Sequence, residues 1–367
     1  MKKLFALALS AVMVLGLLSG CGSKEETPAE GGEETPAASE LNVGVFYYNF
    51  ADAYITTVRN EMDAKLTEAG ITFNNFDGQN NQAQQLDQIN TAITNGANLL
   101  VVNIVETSSP DAAQQACDAA KNAGIPIIFF TREVSDDVVN SYEQCAFVGT
   151  DAAEAGHMQG EMIGDFLLEN YDTVDLNGDG TISYVLFKGQ EGNAEAEYRT
   201  QYSVEDANAK LTEAGKSELA FYDPANTSKY LVDTTGAWSA QAATDYMTTI
   251  LASYSEANGN MIELVIANND GMAEGAISAL QSVGYNVEGG DKVIPVYGVD
   301  ALASAVEKID AGIMTGTVKQ DGEAMAATIA TLVQNVIDGA ELMANTDSYN
   351  VDADSAKIRV PYAMYTK

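Results

Sequence analysis

The apolar positions of the chain fall into short continuous runs, and stretches of helical spacing lie between them. Leu264-Val265-Ile266-Ala267 is the plainest run, followed by the polar Asn268-Asn269-Asp270-Gly271 and then by Met272 onward, whose apolar residues recur at helical intervals. A short continuous apolar run is the pattern of a strand buried on both faces. The segment therefore predicts a strand, loop and helix, with the polar groups at the strand's C-terminal end. In open α/β sheets ligands sit at that end, which makes Asn269 a candidate for a ligand cleft.

The same unit recurs along the chain. Strands are predicted at 41–47, 71–76, 99–104 and 125–130, with helices at 54–69, 81–94 and 111–122 between them. Phe147-Val148 leads into a helix over 152–170. Strands at 181–187 and 219–222, helices at 195–214 and 238–254, and a strand at 293–298 follow. Strands alternating with helices at this spacing predict parallel, doubly wound sheets. The 367 residues are too many for one typical core and suit two Rossmann-like lobes. No G-x-G-x-x-G or G-x-x-x-x-G-K motif follows a strand, so nucleotide binding has no support.

Charge narrows the function classes. Against 53 acidic residues stand 18 basic ones, a formal net charge of -35, which repels nucleic acid. The first residues read Met1-Lys2-Lys3, then an apolar stretch from Leu4 to Leu18, then Leu18-Ser19-Gly20-Cys21. A basic start, a short apolar core and small residues make a signal peptide over 1–20. The cysteine after the small residues resembles the bacterial lipobox. That resemblance implies cleavage before Cys21 and its diacylation, and two acyl chains anchor a protein stably where one does not. Residues 21–40, rich in Glu, Gly, Pro, Thr and Ala, cannot bury a core and read as a flexible tether. Cys117 and Cys145 match no metal or redox spacing and read as buried free thiols, with pairing left open. The single histidine, His157, has no second histidine for a metal site and reads as structural.

Asp175-Leu176-Asn177-Gly178-Asp179-Gly180-Thr181-Ile182-Ser183 matches the first nine positions of an EF-hand loop. The twelfth position, where such a loop needs a bidentate Glu, is Leu186, inside a predicted strand. A calcium ion here would need a carboxylate from elsewhere. Glu263, at the head of a strand able to run beside 184–187, is the candidate, and a metal-free Asp/Asn/Gly turn is the alternative.

Taken together, several segments resemble the bacterial periplasmic galactose/glucose-binding proteins of ABC transport. They are Val43-Gly44-Val45 with Asp52 downstream, Val102-Asn103-Ile104-Val105, Tyr142 with Phe147-Val148-Gly149-Thr150-Asp151, the Asp175 loop, Lys188-Gly189 and Arg199-Thr200. Further matches are Val265-Ile266-Ala267-Asn268-Asn269-Asp270, Gly298-Val299-Asp300-Ala301-Leu302, Gly316-Thr317-Val318 and Val360-Pro361-Tyr362. The resemblance implies the type I periplasmic binding protein fold, α/β, with two lobes joined by three crossing strands. The crossings are expected near Thr131-Arg132, Val318-Lys319-Gln320 and Arg359-Val360-Pro361. That places 41–131 plus 320–357 in the N-terminal lobe and 132–319 plus 358–367 in the C-terminal lobe. It also implies a calcium site of Asp175, Asn177, Asp179, Thr181 (through its carbonyl), Ser183 and Glu263. The implied partners are a monosaccharide, a membrane ABC permease and its ATPase, with the binding protein acting as a monomer.

For the sugar, the resemblance carries over Asp52, Asn103, Arg199, Asn269 and Asp300 as polar ligands, with Tyr54 and Trp238 as flanking rings. Asn193 stands where the family has His, Glu195 where it has Asp, and Gln320 where it has Asn. These departures bear on which sugar, with a pentose or another hexose as the alternative to a galactose- or glucose-like aldohexose. They also leave room for a sugar-sensing receptor. Such residues suit a sugar because each hydroxyl both donates and accepts, and planar polar groups can serve several at once. An aromatic ring covers the apolar C–H face of the pyranose. Two other classes compete. A retaining glycosidase could use Asp52 and Asp300, yet no nucleophile, base and oxyanion set stands out. A transcriptional regulator of the same fold would need a helix-turn-helix where the signal peptide stands.

Overall fold

A computed structural model of the protein describes residues 41–367, and the expectations for the signal peptide, Cys21 and the tether lie outside them. The first part of the chain runs β1 (Asn42–Tyr47), α1 (Ala53–Glu68), β2 (Thr72–Asp77), α2 (Gln82–Thr94), β3 (Leu99–Val102), α3 (Asp111–Ala123), β4 (Ile127–Thr131), α4 (Asp136–Asn140) and β5 (Cys145–Gly149). The second runs α5 (Glu154–Val174), β6 (Ser183–Lys188), α6 (Ala194–Glu213), β7 (Ala220–Phe221), β8 (Leu231–Val232), α7 (Ala240–Leu251), β9 (Leu264–Ala267), α8 (Asp270–Ser282), β10 (Val296–Asp300), α9 (Ala303–Asp310) and β11 (Gly316–Lys319). The chain then returns through α10 (Gly322–Ile337), β12 (Asn350–Val351), β13 (Lys357–Arg359) and β14 (Ala363–Thr366).

Two seven-stranded sheets result. One has the order β12-β13-β5-β4-β3-β1-β2 and the other β14-β11-β10-β9-β6-β7, with β8 also paired to β6. The pairs are parallel except at β12–β13 and β11–β14, where short returning strands close an edge. Every residue of β3, β4, β5 and β9 is buried, as continuous apolar runs covered by helices on both faces require. Each sheet has a hydrophobic cluster on either side of it, so each lobe carries its own core.

The pairing corrects the first crossing. β5 pairs in parallel with β4, Ile127 opposite Cys145, and with β13, so Cys145–Gly149 belongs to the first sheet. The chain passes between lobes after Gly149 and not at Thr131-Arg132. The turn at Thr131-Arg132 leads through the short α4 back into the same sheet. Ile358 and Arg359 likewise lie in the first sheet, so the third crossing is Val360-Pro361-Tyr362 and the second passes through Gln320. Cys117 and Cys145 are buried free thiols in the first lobe. His157 bonds Asp206 at 2.6 Å and stacks on Tyr202, which is a structural setting. Among the described residues no helix is long and apolar enough to cross a membrane.

Two local constraints hold the second lobe's framework. Helices α7 and α8 approach so closely that a Cβ on Gly275 would lie 2.1 Å from the Ala240 carbonyl oxygen. Asp270, fully buried at the start of α8, accepts from Thr317 Oγ1 at 2.6 Å and from the Leu302 N–H at 2.8 Å. It thereby ties α8 to β11 and to the loop after β10. Burial pushes its carboxyl up to about 7, against the pull of those two bonds.

Gly275→Ala is expected to lower the unfolding free energy by about 1–3 kcal/mol, read by denaturant titration, and an unchanged midpoint would contradict the contact. The native state holds an Asp270 proton that the unfolded chain releases. This contribution to stability is therefore full below about pH 4 and is lost as the pH rises to about 7. The melting temperature of the ligand-free protein is expected to fall across that window, and to fall less steeply in Asp270→Asn. Equal slopes in the two proteins would contradict the assignment.

Candidate functional site

The expected ligand groups come from helix N-termini and strand C-terminal ends on both sides of the inter-lobe cleft. Asp52 caps α1, its Oδ1 accepting from the Ile55 N–H at 2.8 Å while Oδ2 takes the Tyr48 hydroxyl at 2.5 Å. Asn193 caps α6 and Asn269 caps α8, each accepting through Oδ1 at 2.9 Å from the third residue on. Capping satisfies a helix N–H and fixes the side chain's direction. The cap residues of these parallel units fall at the strand ends that face the cleft.

A cavity of about 390 Å³, the solvent at its open mouth included, lies between the lobes. Nine of the ten expected ligand residues line it: Asp52, Tyr54, Asn193, Glu195, Arg199, Trp238, Asn269, Asp300 and Gln320. Asn103 is not among the lining residues: its Oδ1 accepts from the Tyr48 N–H at 3.2 Å and its Nδ2 donates to the Phe130 carbonyl at 3.1 Å. It ties the end of β1 to the end of β4 beneath the cleft. Tyr48, Ile55, Thr131 and Arg132 line the cavity and were not singled out as ligand residues. Arg132 stacks over the Tyr48 ring at 3.7 Å and reaches across to Gln190 at 2.6 Å. A tyrosine just after β1 and a cation just after β4, both at strand ends, were the available signal.

Arg199 is the hub. It is 4% exposed, and its guanidinium donates to the Asn268 carbonyl at 2.9 Å, to Gln320 Oε1 at 3.1 Å and to the Tyr362 hydroxyl at 2.9 Å. Thr150 donates to the same tyrosine oxygen at 2.9 Å. Burial pushes the Asp300 carboxyl well above the ordinary range; Arg199 opposes this, and the charges of Asp270 and Asp52 add to it. Burial, with the Glu133 charge beside it, also raises Glu195. Trp238 has φ +56 and Asp300 φ +130, conformations that L residues adopt at a cost and that cluster at functional sites. The Trp238 ring lies against Gly189, where a Cβ would sit 2.1 Å from Cδ2, so a side chain there would evict the indole.

Four buried polar atoms on the cavity lining have no hydrogen-bond partner: Glu195 Oε2, Arg199 Nε, Trp238 Nε1 and Gln320 Nε2. Leaving such a group unpaired costs about 1–3 kcal/mol, and all four belong to residues that line one cavity, which marks a place for a polar guest.

The Asp175 loop is a second cluster. Glu263 reaches it from the head of β9, accepting from the Leu176 N–H at 2.8 Å, the Ser183 N–H at 2.7 Å and Ser183 Oγ at 3.0 Å. Asp175 accepts from the Gly178 and Gly180 amides, Asn177 from the Asp179 amide, and Asp179 from the Thr181 amide. Glu263 is wholly buried, and burial raises its carboxyl. Among the described residues no three His, Cys, Asp or Glu side chains converge as a metal cluster, and the loop's carboxylates are turned onto amides.

Comparison with known proteins agrees with this architecture. Residues 43–341 match the family described as periplasmic binding protein domain. The D-galactose/methyl-galactoside binding periplasmic protein of Haemophilus influenzae is 34% identical over 341 residues, covering 92% of this chain and 93% of that protein. The D-xylose-binding periplasmic protein of Escherichia coli is 26% identical over 272 residues, covering 74% of this chain and 70% of that one. An ABC transporter solute binding protein from Bacillus halodurans with bound myo-inositol superposes with a TM-score of 0.68 at 24% identity, covering 90% of this chain and 96% of that one. One from Clostridium phytofermentans with bound beta-D-glucose gives 0.68 at 21% identity, covering 89% and 94%. These superpositions carry the fold, type I with two parallel-sheet lobes. The chain therefore belongs to the periplasmic binding protein family.

Proposed function

We propose that the protein captures a galactose- or glucose-like aldohexose between its lobes and hands it, as a monomer, to an ABC permease and its ATPase. It does so at the outer face of the membrane, tethered through a diacylated Cys21. The observation that carries the sugar reading is the set of four unpaired buried atoms, one acceptor and three donors, on a lining that also holds Tyr54 and Trp238. Hydroxyls can answer both kinds, and a ring face lets the pyranose C–H surface be buried. A site whose polar atoms are paired only by the right hydroxyls rejects analogues that lack one. Contacts to both lobes make the closed form the one the ligand stabilises. The lipid anchor is supported by the Leu18-Ser19-Gly20-Cys21 signature.

We also propose that the Asp175 loop, with Glu263, holds a structural calcium ion. The support is chemical. Asp175, Asn177, Asp179, the Thr181 carbonyl, Ser183 and Glu263 offer only hard oxygens, in the number that calcium takes. Glu263 is buried, and the hydrogen bonds it accepts come from amides and a hydroxyl, not from a cationic side chain. A divalent ion would neutralise it there.

Trp238→Ala and Asp300→Ala are each expected to weaken binding by about tenfold or more in calorimetry, and unchanged affinity in both would refute the site. In a thermal-shift panel of galactose, glucose, xylose and myo-inositol, an aldohexose is expected to give the largest shift. A larger shift with xylose or myo-inositol would move the assignment to that ligand. Glu263→Gln is expected to lower the melting temperature in calcium buffer and to have little effect in chelator; an equal loss in both would count against the metal.

A further inference from the structure

Glu133 stands one residue beyond the cleft arginine, and its side chain and main chain face different partners. Its carboxylate rests on two cations of β13. Lys357 Nζ lies 2.6 Å from Oε1, and Arg359 Nη1 lies 2.6 Å from Oε2, with Nη2 3.1 Å from Oε1. Arg359 also donates to the Thr150 carbonyl at 2.8 Å, on the first crossing, and pairs with Asp352 at 2.8 Å. Lys357 is buried and takes Asp136 at 2.7 Å as its second partner. The Glu133 N–H donates at 2.8 Å to Glu195 Oε1, which belongs to α6 of the opposite lobe. The other oxygen of that carboxylate, Oε2, is the unpaired acceptor of the cavity.

We propose that Glu133 is a positioning residue for ligand capture. Its bidentate pairing with Arg359 fixes the main chain after β4, and the N–H so fixed sets the rotation of Glu195 and aims Oε2 at the guest. Charge-assisted, bidentate bonds are the strong and directional kind. Because the Glu133–Glu195 bond spans the lobes, it forms only when they are together. Because Arg359 holds both Glu133 and the Thr150 carbonyl, the same cluster ties the cleft to the first crossing and to the strand that leads into the third. This role rests on the reading of Glu195 as a ligand group.

A double-mutant cycle on the full chain tests it, with D-galactose and D-glucose affinities read by calorimetry. Glu133→Gln is expected to weaken binding by about tenfold in the wild-type background and by less than about twofold in Glu195→Ala. The same factor in both backgrounds would overturn the proposal, since a merely structural role acts whatever stands at 195. If Glu133→Gln does not fold cooperatively, Arg359→Lys keeps the charge, loses the fork, and is expected to follow the same pattern. If the wild type binds neither sugar, the aldohexose reading fails by itself. The clasp is then read without ligand, from the inter-lobe distance between spin labels: a smaller closed fraction in Glu133→Gln upholds it, and an equal fraction overturns it.

Discussion

The cleft depends on one buried guanidinium. Arg199 is withdrawn from water and held by an Asn268 carbonyl, by Gln320 and by Tyr362, which also takes the Thr150 hydroxyl. Thr150, Gln320 and Tyr362 stand on the three passages between the lobes, so a single side chain of α6 is bonded, directly or through one oxygen, to all of them. Burying a charge is costly unless it is hydrogen-bonded or paired, and here three neutral acceptors take that task. Nε is left over. The closed cleft thus contains a cation whose bonding is almost complete, and completing it is work for a guest.

The rest of the lining follows the same economy of groups. Asp52, Asn193 and Asn269 each give one oxygen to a helix N-terminus, which fixes them in place. Thr131, Trp238, Asp300 and Ala301 adopt positive φ around the cleft. Each such residue costs on the order of 1–3 kcal/mol and persists where surrounding packing over-determines it. The two lobe cores provide that packing and hold the polar groups of the rim in place.

Much of this was legible in the sequence because it depends on local pattern. The apolar pattern located β1 to β4, β6, β7, β9 and β10, and the polar stop after Ala267 located Asn269 at a strand end. The incomplete EF-hand loop called for a carboxylate from elsewhere, and Glu263 does meet that loop. What was not legible depends on pairing across the sheet. Phe147-Val148 reads only as the lead into a helix, and only the register of Cys145–Gly149 with Ile127–Thr131 and Lys357–Arg359 places the first crossing after Gly149. Asn103 stands at a strand end like a ligand residue, and two backbone groups reach its amide. Arg132 looked like a hinge residue because the crossing was expected there. In the structure it lines the cavity and bridges to Gln190.

The most direct test of the account is a crystal structure of the protein grown with the monosaccharide it binds most tightly. The ring is expected in the inter-lobe cavity between Tyr54 and Trp238, with hydroxyls within about 3.2 Å of Glu195 Oε2, Arg199 Nε and Gln320 Nε2. A sugar bound elsewhere, or one seated in the cleft with those atoms still unpaired, would contradict it.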